Sequence, residues 1–274
     1  MYFPNGYKKS RAIELGQLVL KAYDQYNCYM SKAAWTLGEG YSLVKEIVLG
    51  SDSRSNAAIP DFVEGLLGHR KDRNAPIGFI ARKNNALYVI FRGTQTPSEW
   101  ISNLNAVLKP YEYGGSGNVH GGFAELYGSI RDTVMATINT QGTGRNIYIA
   151  GHSLGAAIAT LSVRDIGKDD RNIIKGVYLY GSPRVGDAEY ARDYDRNYKG
   201  ITYRIVNTSD IVTSVPPPVP VLGSIGGYFS HVETPVDFNW QENDILSNHK
   251  MERYLEEVTN AKEGLLRRIL RGGA

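Results

Sequence analysis

The sequence predicts an α/β fold, a mostly parallel central sheet flanked by helices. Three observations carry that expectation. Strand-like and helix-like runs alternate through the second half of the chain. The first of those strands, Asn146 to Ala150, is a short run with the character of a buried strand. A glycine-bounded turn, Gly151 to Gly155, then joins it to a helix built largely of small residues.

Size and composition fit this fold class. The chain has 274 residues, enough for one α/β domain with insertions and a core that needs no cross-links. Hydrophobic residues make up 42% and charged residues 22%, an ordinary globular balance. The 31 basic and 28 acidic residues leave a net charge of +3, too balanced for a nucleic-acid binder. Cys28 stands alone, so no disulfide forms within these residues, and its expected place is the core. The five histidines are scattered and no metal-binding spacing occurs, so neither a metal nor another cofactor is expected. The N-terminus lacks the apolar run of a signal peptide, and no stretch approaches a membrane span. The expectation is a soluble protein, cytoplasmic unless a leader has been removed.

In chain order, Arg11 to Tyr26 carries apolar residues at three- and four-residue steps and predicts a helix. Tyr41 to Leu49 predicts a strand. Gly50 to Asn74 is long, polar and rich in Ser, Asn and Arg, and reads as an insertion (to about residue 76) with a short helix of its own. Ile77–Arg82 and Leu87–Arg92 predict a hairpin across Lys83-Asn84-Asn85. Thr94 to Tyr113 predicts a short amphipathic helix plus loop. Gly121 to Thr140 predicts one helix with Phe123, Tyr127, Ile130, Val134 and Ile138 on its apolar stripe. Strands follow at 146–150, 176–180 and 201–206, with helices at 156–163 and 187–198 between them. Tyr228 to Phe238 reads as extended. Ser247 to Thr259 reads as helix, capped by Ser247 or Asn248. The basic, amphipathic tail Lys262 to Arg271 predicts a terminal helix packed on the core, with contact to anionic lipid as the alternative.

Ser153 is the candidate nucleophile. A hydroxyl attacks only with a base beside it and donors for the oxyanion. In a chain with 30 glycines the bare pattern Gly-x-Ser-x-Gly carries little weight. Its setting carries more: a strand enters it and the helix Ala156 to Leu161 leaves it, as in the nucleophile elbow of an α/β-hydrolase. Such a triad runs Ser, then acid, then His, so only His231 and His249 qualify as base. His249 follows a polar loop, where catalytic groups concentrate, and is preferred. Asp210, just after the strand ending at Val206, is the preferred acid; Asp187 and Asp237 are rivals, and turn capping is its other reading. The backbone N–H groups of Leu154 and Thr94 are the candidate oxyanion donors.

Several segments together resemble the class 3 lipases, the fungal triacylglycerol lipase-like branch of the α/β-hydrolases. They are Phe91-Arg92-Gly93-Thr94, Trp100 to Leu104, Val119 to Phe123, Gly151 to Ala156, Gly181 to Asp187, and Val206 to Val212 with Pro216-Pro217. They stand in family order across about residues 75 to 255. The resemblance implies an α/β-hydrolase fold and a Ser153–Asp210–His249 triad with Thr94 and Leu154 as oxyanion donors. It implies a lid at about 95–113 around Trp100, and Val212, Val215 and Leu246 in an acyl groove. The activity implied is hydrolysis of carboxylic esters through an acyl-enzyme, foremost of triacylglycerols and at a lipid–water interface. A non-interfacial carboxylesterase or feruloyl-type esterase, a phospholipase, and a non-catalytic lipid-binding protein on the same fold are the alternatives. The N-terminal part and residues 50–74 lie outside the resemblance.

Overall fold

A computed structural model of the chain describes residues 1, 3–49, 74–95, 107–218, 228–233, 235–242, 244 and 246–262. The insertion at 50–73, Trp100 with most of the expected lid, and the basic tail beyond Lys262 lie outside the described residues.

The chain opens with helix α1 (Lys9–Ser31), longer at both ends than its apolar stripe predicts. Strands β1 (Ser42–Val48), β2 (Pro76–Lys83) and β3 (Ala86–Phe91) follow. The β2–β3 hairpin turns at Asn84, which takes a φ of 53°, a conformation Asn tolerates better than most residues. A small pair, β4 (Leu108–Pro110) and β5 (Asn118–His120), comes next. Residues 108–110 are therefore strand, not helix or loop: Leu108 pairs with His120 across the small sheet.

Helices α2 (Gly121–Gly128) and α3 (Arg131–Gln141) replace the single helix expected over 121–140. The Ser129 hydroxyl donates to the Leu126 carbonyl at 2.8 Å, and the Ile130 N–H closes a tighter turn onto Tyr127 O at 3.1 Å. Those local bonds compete with the helical ladder and end it. The apolar stripe survives the break, since Ile130, Val134 and Ile138 are all buried.

The α/β rhythm then runs β6 (Asn146–His152), α4 (Leu154–Ile166), β7 (Ile173–Tyr180), α5 (Ala188–Tyr198) and β8 (Thr202–Asn207). Among the described residues of 228–238, strand β9 (Pro235–Phe238) is the part that joins the main sheet as strand. The Arg204 side chain captures Val232 O at 2.7 Å and Glu233 O at 3.2 Å, and Glu233 turns the chain at φ 51°. Helix α6 (Met251–Asn260) closes the described chain.

The seven strands stand in the order β1-β2-β3-β6-β7-β8-β9. β1 to β3 are antiparallel neighbours, and the pairs from β3–β6 to β8–β9 are parallel. Alternation along β3 serves two cores. Leu87, Val89 and Phe91 face the layer with α2, α3 and α4; Tyr88 and Ile90 face the layer with α1 and α6. Every residue of α4 is buried, which is why its first turns are Gly155, Ala156, Ala157 and Ala159. Cys28 is half-buried on α1 rather than in the core.

Candidate active site

Ser153 occupies the turn between β6 and α4 at φ 57° and ψ −128°, a strained backbone for a residue with a side chain. The two flanking glycines have separate jobs. A Cβ on Gly151 would meet Gly155 O at 2.2 Å, and one on Gly155 would meet Arg92 O at 2.4 Å. Gly151 thus admits the first turn of α4, and Gly155 admits the end of β3. The Ser153 N–H donates to Tyr180 O at 2.9 Å, tying the elbow to β7.

Asp210 sits in the loop after β8 and is 1% exposed. Its Oδ2 accepts from His249 Nδ1 at 2.6 Å and from the Tyr254 hydroxyl at 2.6 Å. Its Oδ1 accepts from Val212 N at 2.9 Å. Asp210 is therefore both a turn cap and the partner of a histidine. The rival acids are engaged elsewhere. Asp187 caps α5 through Tyr190 N and also binds Asn118, and Asp237 points to solvent from β9. His231 is held by Thr213 O at 2.8 Å and has no carboxylate partner among the described residues. Burial, with Arg204 next in effect, depresses its pKa to about 3.

His249 lies in a short 3-10 turn, Ser247–His249, separated from α6 by extended Lys250. Neither Ser247 nor Asn248 caps the helix, as the sequence suggested. Asp244 holds the turn instead, accepting from Leu246 N at 3.2 Å and Ser247 N at 3.2 Å. Asn248 faces inward, with its carbonyl accepting from Asn207 Nδ2 at 2.9 Å.

Ser153 Oγ, His249 Nε2 and His152 Nε2 are buried and make no hydrogen bond among the described residues. Ser153 and His249 are thus not yet bonded to each other; such bonds commonly tighten only once substrate is bound. The His152 and His249 rings lie 4.6 Å apart. Burial, and then the neighbouring His249, push the His152 imidazole well below its ordinary pKa, so it is neutral. The Tyr23 hydroxyl accepts from Gly93 N at 3.0 Å and lies 2.7 Å from His152 Nδ1. It bridges the Gly93 loop and the elbow whichever nitrogen of the His152 ring carries the proton.

Thr94 is buried just past the end of β3. Leu154 begins α4, so its N–H has no acceptor within the helix. Val212 is buried in the larger core, Val215 packs half-buried against it, and Leu246 is 38% exposed. The turn before His249, the loop after β8 and the elbow all lie at the carboxyl ends of the parallel strands.

Sequence reasoning missed four contributors. Tyr254 and Asn207 fix the acid and the histidine turn, and Tyr23 on α1 bridges the elbow and the Gly93 loop. Gly181, at φ 55°, leaves room for the histidine: a Cβ there would meet His249 Cε1 at 3.0 Å and Asp210 Oδ2 at 3.2 Å. Gly181 and Asn207 carried a signal, as parts of the segments Gly181 to Asp187 and Val206 to Val212; Tyr23 and Tyr254 carried none.

A family model described as lipase (class 3) matches residues 88–219. A lipase of Rhizomucor miehei is 35% identical over 158 residues, 53% of this chain and 41% of the relative. A phospholipase A1 of Oryza sativa, chloroplastic/mitochondrial, is 27% identical over 269 residues, 82% of this chain and 59% of the relative. The chain spans about half the length of the curated relatives it matches. The solved triacylglyceride lipase of Rhizomucor miehei superposes with a TM-score of 0.61 at 23% identity, over 84% of this chain and 81% of that one. That likeness shows the α/β-hydrolase fold.

Proposed function

The chain belongs to the class 3 lipase family, matched over residues 88–219, and we propose that it hydrolyses carboxylic esters of lipids through a covalent acyl-enzyme, with triacylglycerols as the first substrate class. The observation that carries the reading is the buried 2.6 Å bond between His249 Nδ1 and Asp210 Oδ2 behind a serine on a strained elbow. With Nδ1 donating to Asp210, the other ring nitrogen, Nε2, is left as the base.

Ser153 Oγ attacks the ester carbonyl while His249 Nε2 takes its proton. Asp210 holds the ring and stabilises the imidazolium. The N–H groups of Thr94 and Leu154 stabilise the oxyanion, a contribution of about 100- to 1000-fold per donor in turnover. His249 then protonates the leaving alcohol, and water repeats the sequence on the acyl-enzyme. Val212, Val215, Leu246 and Trp100 are proposed to bound the acyl chain.

Ser153→Ala should abolish hydrolysis of p-nitrophenyl butyrate; retained hydrolysis would sink the reading. Emulsified tributyrin, assayed on either side of its solubility limit, separates a lipase from an esterase that saturates smoothly. A second reading, a phospholipase A1, is favoured by the rice relative, whose match runs over 82% of this chain. Release of the sn-1 fatty acid from phosphatidylcholine faster than from triacylglycerol would select it. Among the described residues no helix is long and apolar enough to cross a membrane. A cytoplasmic location, or a secreted one after loss of a leader, is proposed, and with Cys28 alone these residues need no oxidising compartment to fold. Activity unchanged by dithiothreitol is the expected result.

A further inference from the structure

Arg92 is 2% exposed, an unusual place for a guanidinium. Among the described residues its electrostatic neighbours are the phenols of Tyr23 and Tyr26, not a carboxylate. The guanidinium lies 3.8 Å above the Tyr26 ring. Its Nε donates to Pro76 O at 2.8 Å and its Nη1 to Gly93 O at 2.7 Å. Burial lowers its pKa to about 10, which leaves it cationic at neutral pH.

The bond to Gly93 O has a geometric consequence. Gly93 C=O and Thr94 N–H belong to one peptide unit, and that unit is trans. In a trans peptide the two groups point in opposite directions. A guanidinium that holds the carbonyl therefore aims the Thr94 N–H the other way. The bond is also charge-assisted, so it polarises the amide and strengthens the N–H as a donor. The preceding peptide is held as well, because Gly93 N–H donates to the Tyr23 hydroxyl at 3.0 Å. Gly93 itself lies tight against the elbow, where a Cβ would come within 2.7 Å of Ser153 Cβ.

We propose that Arg92 and Tyr23 are positioning residues for the oxyanion hole: Arg92 orients and polarises the Gly93–Thr94 peptide, and Tyr23 fixes the peptide before it and couples it to His152. Helix α1, which carries Tyr23 and Tyr26, is then part of the catalytic framework. The inference rests on the reading of Thr94 as an oxyanion donor. Three features separate this role from simple packing. Among the described residues the cation has no carboxylate counter-charge, its hydrogen bonds go to backbone carbonyls at the start of β2 and just past the end of β3, and one of them belongs to the donor peptide.

The test uses the full chain and four variants: Arg92→Gln, Arg92→Lys, Tyr23→Phe and, as a core control away from the elbow, Val134→Ala. Kinetics on p-nitrophenyl butyrate are paired with inhibition by phenylboronic acid, which forms a tetrahedral anion on a nucleophilic serine and reports on the oxyanion hole directly. Arg92→Gln should lower kcat/KM about 10- to 100-fold, almost all in kcat, and weaken the boronic acid by a similar factor. KM should stay within about threefold. Arg92→Lys keeps the charge but not the fork and should fall between. Tyr23→Phe removes one oxygen atom and should lower kcat about tenfold with a matching loss of boronic-acid affinity. Val134→Ala should lower the melting temperature and leave the kcat-to-boronate pattern unchanged.

The proposal is overturned if Arg92→Gln keeps kcat/KM within threefold, if its loss lies in KM with boronic-acid affinity intact, or if Val134→Ala shows the same pattern. If Arg92→Gln does not fold, Tyr23→Phe decides by the same criteria. Ser153→Ala reports separately on the underlying reading: parental hydrolysis that survives that change refutes both, whereas its loss beside an unperturbed Arg92→Gln refutes the positioning role alone.

Discussion

Replacing Gly93 with alanine should cost far more activity than stability. The added Cβ would lie 2.6 Å from the Tyr23 hydroxyl, 2.7 Å from Ser153 Cβ and 2.8 Å from His152 O. Carbon atoms pack best at about 3.5–4.0 Å, so the methyl overlaps its neighbours by roughly 1 Å. Two of the three obstacles belong to the elbow. Relief must therefore move either Ser153 or the loop that carries Thr94. Overpacking of this kind costs about 1–3 kcal/mol in stability. A displacement of about 1 Å at a reacting centre costs on the order of 100-fold in rate. The assay is kcat/KM on p-nitrophenyl butyrate beside thermal melting. Gly121→Ala is the control, because the atoms nearest a Cβ there belong to the flexible Lys109 stem, at 3.0–3.3 Å. It should stay within about 0.5 kcal/mol of the parent and keep its activity. A Gly93→Ala protein within threefold of parental kcat/KM would refute the steric argument, as would equal losses in the two variants.

Three further outcomes are expected. Tyr254→Phe removes the donor to Asp210 Oδ2 and the acceptor of the buried Asn207 N–H. It should cost about 1–3 kcal/mol by urea titration. It should also lower kcat, but by far less than the roughly 10,000-fold that follows a change of the acid itself. Unaltered kcat would remove Tyr254 from the site. His231→Gln should flatten the acid limb of stability. The pKa of His231 is about 3 in the fold and about 6.5 when unfolded, so the unfolded chain takes up the proton first. Stability is then full above about pH 6.5 and declines toward pH 3. Between pH 7 and 4.5 the parent should lose about 2 kcal/mol more than the variant; parallel curves would contradict this. Asp165→Asn breaks a cluster around a buried carboxylate, to which half-buried Arg131 donates at 2.6 and 3.0 Å and the Tyr127 hydroxyl at 2.8 Å. It should cost about 2–4 kcal/mol and leave kcat unchanged, because the cluster sits at the end of α4 remote from Ser153.

Much of the site was legible in the sequence because its parts are local. Gly151 and Gly155 bracket Ser153 within one turn, and the demand for a strand before and a small-residue helix after is itself a sequence pattern. Chain order narrowed the base to His231 or His249. A histidine used by a backbone carbonyl and one used by a carboxylate look alike in sequence, and only the fold shows that His231 binds Thr213 O and His249 binds Asp210. The one long helix expected over 121–140 failed for a local reason as well. Its apolar period continues through Ile130, but the Ser129 hydroxyl competes for the backbone there, and periodicity does not register that bond.

The alternation of strands and helices, the turn around Ser153 and the order of the candidate triad could be read without the fold, because period, glycine spacing and chain order are properties of neighbours along the chain. The tertiary structure decided how those pieces are held. Tyr23 reaches His152 across 129 positions and Gly93 across 70. Tyr254 reaches Asp210 across 44 positions. Bonds over such separations leave no periodic trace, since each depends on how α1 and α6 lie against the sheet. Arg92 binds the carbonyl of the very next residue, and what the fold adds there is the burial of its guanidinium over Tyr26 with Nε held by Pro76 O.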